Sequence, residues 1–208
     1  NPKKQDMDQS LDFSTEENSR ILEQLKAHYR SILSLLGEDP DREGLQKTPE
    51  RAAKAMMNLT RGYKQSPDEL LSSAMFEYSG SQMIVVKDIE FYSFCEHHIL
   101  PFFGKVHIGY IPSHGMIGLS KLARLVNLYA ARLQVQERLT RQIVEALDRA
   151  VNHGESTAKG VIVMVEAQHL CMQMRGVEKQ EAKTVTIDYS GDFADSKLRD
   201  EFLRMLGR

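Results

Sequence analysis

The apolar residues of this 208-residue chain change period four times, and those changes limit the folds open to it more than any other feature. From Met83 the period is two: Ile89 and Phe91 alternate with Asp88 and Glu90, then Val106, Ile108 and Tyr110 alternate with Lys105, His107 and Gly109, which predicts two strands. Ser120 to Asn152 then reads as helix, with Leu122, Leu125, Val126 and Tyr129 on one stripe and Val135, Leu139, Ile143, Leu147 and Val151 on another. The register changes near Leu133, so a bend or break is expected there. After a loop from His153 to Lys159, the continuous run Val161 to Val165 and the alternation of Val185, Ile187 and Tyr189 predict two more strands, and Asp195 to Leu206 a last helix. Strand, strand, helical pair, strand, strand is an α+β order with antiparallel hairpins. It excludes the regular β-α alternation of a doubly wound sheet.

Before that region the pattern is helical. The first 13 residues, with Lys3, Lys4, Asp6, Asp8 and Asp12, read as a tail. Ser14 and Glu17 fit a capping box ahead of a stripe of Ile21, Leu22, Leu25, Ile32, Leu33 and Leu36 that Gly37 ends. An acidic loop, Glu38 to Glu43, follows. Thr48 with Pro49, and Ser66 with Pro67 and Glu69, start two further helices. The expected organisation is a tail over 1–13, an N-terminal helical region over 14–80 and a catalytic domain over 81–208.

Composition closes off other classes. With 41% hydrophobic and 27% charged residues the chain can build a core, which excludes a mainly disordered or fibrous protein. A formal charge of −2 gives no global reason to expect nucleic acid or an anionic membrane as partner. Charge is uneven, however: Lys105, Lys121, Arg124, Arg132, Arg138 and Arg141 outnumber Glu137 and Glu145 between positions 104 and 145, so a local basic surface is expected. The longest purely apolar run, Val161 to Val165, is far short of the roughly 20 residues that span a bilayer. A cytoplasmic protein with reduced cysteines is the expectation.

Only two cysteines occur, and both stand beside histidines. Cys95-Glu96-His97-His98 places a thiolate and an imidazole three apart, a spacing with which one turn wraps two ligands round a zinc ion. Cys171 follows His169 by two positions. If Cys95, His98 and Cys171 bind one metal, a fourth position stays open for water, as in catalytic sites. His97 or His169 as a fourth ligand would close it into a structural site, and spacing leaves both arrangements open. Gly118-Leu119-Ser120-Lys121 leads into the long helix with Arg124 one turn on, so free amides and two cations could hold an anion there. Glu137, next to Gln136, could accept the ring N–H and exocyclic amine of guanine, or it could pair with Arg141 one turn away. Arg175, four residues after Cys171, is a further cation for such a site or a turn residue.

Taken together, Cys95-Glu96-His97-His98 with Pro101-Phe102 and Gly104, then Gly118-Leu119-Ser120-Lys121-Leu122-Ala123-Arg124, Gln134-Val135-Gln136-Glu137-Arg138-Leu139-Thr140, and His169-Leu170-Cys171-Met172 with Arg175-Gly176-Val177 closely resemble GTP cyclohydrolase I. The likeness runs from about Gly37, through Thr48-Pro49-Glu50-Arg51, to about Thr186. It implies a tunnelling fold, an antiparallel sheet with a helical pair on one face. Subunits of that fold join their sheets into a ring, with a homodecamer expected and active sites between subunits. Position by position it implies Cys95, His98 and Cys171 as ligands of one zinc per subunit, with the nucleophilic water in the fourth place. His97 would be proton donor to the guanine imidazole ring, and His169 would assist proton transfer near the ribose. Glu137 with Gln136 would hold the guanine edge, Lys121, Arg124 and Arg175 the triphosphate, and Ser120 the ribose-phosphate part. Other readings are a catalytically silent zinc-stabilised pterin- or nucleotide-binding protein, and a tunnelling-fold enzyme with another purine or pterin substrate.

Overall fold

A computed structural model of the chain describes residues 11–72, 75–112, 114–151 and 159–208. Most of the expected tail, and the loop expected from His153 to Lys159 apart from Lys159 itself, lie outside the described residues. The helices are α1 (Glu16–Leu35), α2 (Thr48–Leu59), α3 (Pro67–Ser72), α4 (Leu119–Ala130), α5 (Gln136–Val151), α6 (Leu170–Gln173) and α7 (Ser196–Leu206). The strands are β1 (Met75–Ser79), β2 (Ile84–Cys95), β3 (Leu100–Ile111), β4 (His114–Ile117), β5 (Leu133–Gln134), β6 (Gly160–His169) and β7 (Thr184–Tyr189).

The chain divides into two compact units, one ending at Arg61 and one spanning Gly62–Arg208. In the first, α1 and α2 bury Leu22, Ala53 and Met57 together, with Phe13, Ile21, Leu25 and Tyr29 packed round them. The cap of α1 is Thr15, whose hydroxyl accepts from the Asn18 amide, and not the expected Ser14. The Ser14 hydroxyl donates to Asp12, which takes it out of the capping position. Likewise α2 starts at Thr48 itself, with Lys47 before it and Pro49 in its first turn. Ser66 does cap α3, accepting from the Glu69 amide at 3.3 Å.

The second unit begins at Gly62, earlier than residue 81, because Leu71 of α3 is buried in its main core. Its sheet has the order β5-β2-β3-β6-β7, with β2, β3, β6 and β7 antiparallel in turn and β5 parallel to β2. Helices α4 and α5 cover one face, where Leu122, Leu125, Val126, Leu139, Ile143 and Leu147 meet Val106, Ile108, Val163 and Val165. On the opposite face Phe193 and Phe202 of the C-terminal segment meet Ile111, Ile162 and Met164. Strand β6 is thus covered on both sides, which explains why Val161 to Val165 is apolar without alternation.

The break expected near Leu133 is a short strand. After α4 ends at Ala130, Leu133 and Gln134 pair in parallel with Phe94 and Cys95 before α5 starts at Gln136. The small antiparallel ribbon of β1 and β4 was not foreseen from the sequence, being too short for a period to declare itself. Gly104 marks a close approach of β3 to β6: a Cβ there would stand 1.8 Å from the Glu166 carbonyl oxygen. Among the described residues no helix is long and apolar enough to cross a membrane.

Candidate metal centre and its surroundings

Two hairpin ends meet at the candidate site. Strand β2 ends at Cys95, the turn Glu96–Ile99 follows, and β3 leaves from Leu100, which pairs back with Cys95. Because Phe102 of β3 pairs with His169 at the end of β6, the first turn of α6 and its Cys171 are carried to the same place. Sequence-distant residues therefore converge through one register.

The Cys95 and Cys171 sulfurs and a His98 ring nitrogen all lie within 4.8 Å of one another. Among the described residues this is the group of His, Cys, Asp and Glu side chains whose ligand atoms come together in that way. Both cysteines are free thiols. The Cys95 sulfur is 3.9 Å from His98 Nδ1, against about 3.5 Å between a sulfur and a nitrogen on a tetrahedral zinc. Burial, and then the neighbouring Cys95 sulfur, push the Cys171 thiol above the usual cysteine range. A cation between the sulfurs would reverse that, so the donor set fits a borderline-soft metal ion. Arg175 places Nη1 3.0 Å from His98 Nε2.

The two other histidines differ in setting. His97 is an exposed side chain, with Nδ1 4.0 Å from the Cys95 sulfur and Nε2 3.9 Å from a Glu96 oxygen. His169 is half-buried, its ring stacked on Phe102 at 4.7 Å and nearly parallel, and its Nε2 is 2.8 Å from Gln136 Oε1. Burial lowers the His169 pKa, and the nearby Glu137 charge opposes that. His169 and exposed Glu137 thus share one neighbourhood. Arg141 reaches Asp188 at 3.5 Å, so the i+4 pair with Glu137 that the sequence also allowed gives way to a contact with β7. Gln136, expected beside Glu137 on a ligand, turns inward and is 2% exposed.

One contact went unread in the sequence. Arg138, next to Glu137, donates to Glu96, to the Gln134 side chain and to the Leu133 carbonyl. It ties the start of α5 to the turn that carries His97 and His98, and it holds the Glu96 carboxyl below the usual range. The adjacency of Glu96 to the C-x-x-H motif was the only available hint.

Ser120, Lys121 and Arg124 occupy the first turns of α4, and there the geometry separates what the sequence grouped. Helix α4 starts just after Ile117, whose amide donates to the Tyr110 hydroxyl at 3.2 Å. Tyr110 pairs with Ile84, at the far end of the hairpin from the Cys95–Leu100 pair. Ten residues of strand, about 33 Å at ~3.3 Å each, lie between those ends. Within one chain the start of α4 is therefore tied to the end of the hairpin remote from the Cys95–Leu100 pair.

The GTP cyclohydrolase I family model matches residues 25–207. GTP cyclohydrolase 1 of Porphyromonas gingivalis is 56% identical over 192 residues, covering 92% of this chain and 97% of that protein. The same-named proteins of Bacteroides fragilis and Chlorobaculum tepidum are 56% and 50% identical, over 90% and 97% of this chain and 94% and 88% of theirs. Motifs, fold and matched length agree, and the chain belongs to the GTP cyclohydrolase I family.

Proposed function

We propose that the protein is a zinc-dependent GTP cyclohydrolase I that opens the guanine imidazole ring of GTP at carbon 8, releases that carbon as formate and yields 7,8-dihydroneopterin triphosphate. The product is the entry to folate or tetrahydrobiopterin synthesis. The convergence of Cys95, His98 and Cys171, with His97, His169 and Glu137 round them, carries this reading. When bound by those three residues, zinc supplies a water acidified to a pKa of about 7 as nucleophile.

The remaining work falls to the chain. His97, exposed beside a ligand, protonates the imidazole nitrogen of guanine as carbon 8 is attacked. Glu137 accepts from the guanine ring N–H and amine, two donors that adenine lacks at that edge, and so selects the base. His169 moves a proton near the ribose once the ring has opened. Two hydrolytic steps free carbon 8, and the opened ribose rearranges and recloses on the exposed amine. Lys121, Arg124 and Arg175 grip the triphosphate, with Ser120 at the ribose-phosphate junction.

The start of α4 at the hairpin end remote from the thiols supports a site completed by a neighbouring subunit, as a ring of joined sheets with ten copies would supply. Such sharing has a direct consequence. Cys171→Ser and Lys121→Ala subunits, each inactive alone, regain activity when dissociated and reassembled together, up to about a quarter of the parent by random mixing. Strict absence of recovery in verified hybrid rings would place all the groups in one chain.

The reaction itself is tested by incubating zinc-loaded protein with GTP and assaying formate and the dihydroneopterin triphosphate together, beside a chelator-treated sample. Both products appear only with metal if the reading holds. A zinc-replete, assembled protein that forms neither is a silent binding protein.

A further inference from the structure

The inward-facing Gln136 sits in a network whose protons can all be assigned. Its Nε2 lies 3.1 Å from the Val165 carbonyl oxygen, 3.0 Å from that of Thr184 and 3.2 Å from Thr186 Oγ1. Carbonyl oxygens only accept, so the amide nitrogen must face them and the amide cannot be flipped. The Thr140 hydroxyl donates to the Gln136 carbonyl at 2.8 Å, which leaves the Thr186 hydroxyl to donate across the 2.7 Å contact to Thr140. Thr186 Oγ1 is then a third acceptor beside the two carbonyls, and the two amide hydrogens of Gln136 are shared among the three.

With the amide fixed, Oε1 is the atom 2.8 Å from His169 Nε2. That oxygen also only accepts, so the hydrogen belongs to His169, and a neutral imidazole carries one. The ring plane is set separately by the stack on Phe102, itself fully buried and packed edge-on against Phe91. We infer that Gln136 is a positioning residue that holds His169 as the tautomer with its proton on Nε2, leaving Nδ1 as the ring's one proton-accepting atom. The inference rests on the proton-transfer role given to His169 above, and it replaces a direct contact of the Gln136 side chain with the purine.

The buried amide thereby does for His169 what a carboxylate does for the histidine of a hydrolytic triad: it decides which nitrogen is basic. Glutamine adds no charge, so the histidine is oriented without being made more basic.

The test reads the tautomer and the kinetics separately. Magic-angle-spinning NMR of zinc-loaded, 15N-histidine-labelled protein without GTP, with His169→Asn to assign the signal, should show a proton on Nε2 and a bare Nδ1. The opposite pattern overturns the inference. In Gln136→Met, kcat for formate release should fall roughly 10- to 100-fold with KM for GTP little changed, and the His169 signal should become mixed. A raised KM at unchanged kcat would instead make Gln136 a purine contact and overturn it. Should Gln136→Met not fold, Thr186→Val removes one acceptor and should lower kcat in the same sense by a smaller factor, while an unchanged kcat counts against the network. If the parent itself does not turn over GTP, the proposed function fails, yet the parent's NMR pattern still decides the tautomer.

Discussion

Cys171→Ser is expected to lose bound metal and at least about 10³-fold of GTP turnover while the subunit stays folded. A serine hydroxyl is a harder and shorter donor that stays protonated near neutral pH, so a site of two sulfurs and one imidazole becomes a weak two-ligand site. The fold has its own support. Cys171 lies at the margin of a core built from Phe91, Phe102, Val106, Leu125 and Ile143, none of which it replaces. Metal content by atomic absorption, far-UV circular dichroism and sedimentation velocity on one preparation test the claim. A folded variant with one zinc per subunit removes Cys171 from the ligand set.

The second large effect is at the other side of the site. Glu137→Gln exchanges a carboxylate, which only accepts, for an amide that turns a donor toward the guanine donors or leaves one of them unpaired. A site built to hydrogen-bond a group discriminates strongly once that match is lost, and a rise in KM for GTP of about 100-fold or more is expected. The triphosphate grip should persist, so competitive inhibition by inorganic triphosphate is the control and should be unaltered. Stability should not move, because Glu137 is exposed and its helical neighbour Arg141 is engaged with Asp188. Equal GTP affinity in variant and parent would remove the base-reading role.

Much of the sheet unit was legible in the sequence because its elements are long enough for a period to show. The stripe from Leu139 to Val151 is of that kind and is buried as expected, whereas in β3 His107 and Gly109 are buried along with Val106, Ile108 and Tyr110, because the C-terminal segment covers the other face of the sheet. What was hidden is decided by contacts between elements. Ser14 and Thr15 are neighbouring hydroxyls, and only the claim of Asp12 on the first makes the second the cap. The two residues of β5 carry no period, and their pairing with Phe94 and Cys95 follows from where α4 ends.

The site divides in the same way. Cysteines and histidines at close spacing pointed to a candidate metal site, but bringing Cys171 to Cys95 depends on the pairing of Phe102 with His169. Glu137 was readable as an exposed carboxylate at a helix start. The inward turn of Gln136 was not, since acceptors from Val165, Thr184 and Thr186 reach it only after β6 and β7 pair and α5 packs over them.

The long hairpin of β2 and β3 carries the thiols at one end and the start of α4 at the other, and the proposed sharing of sites would make the working enzyme a population property. If neighbouring subunits complete each site, specific activity falls on dilution below the assembly threshold even though every chain remains folded. A ligand-deficient subunit, in turn, silences sites by its own thiols while lending intact cations to its neighbour, so the damage done by one defective copy depends on which end of the hairpin carries the defect.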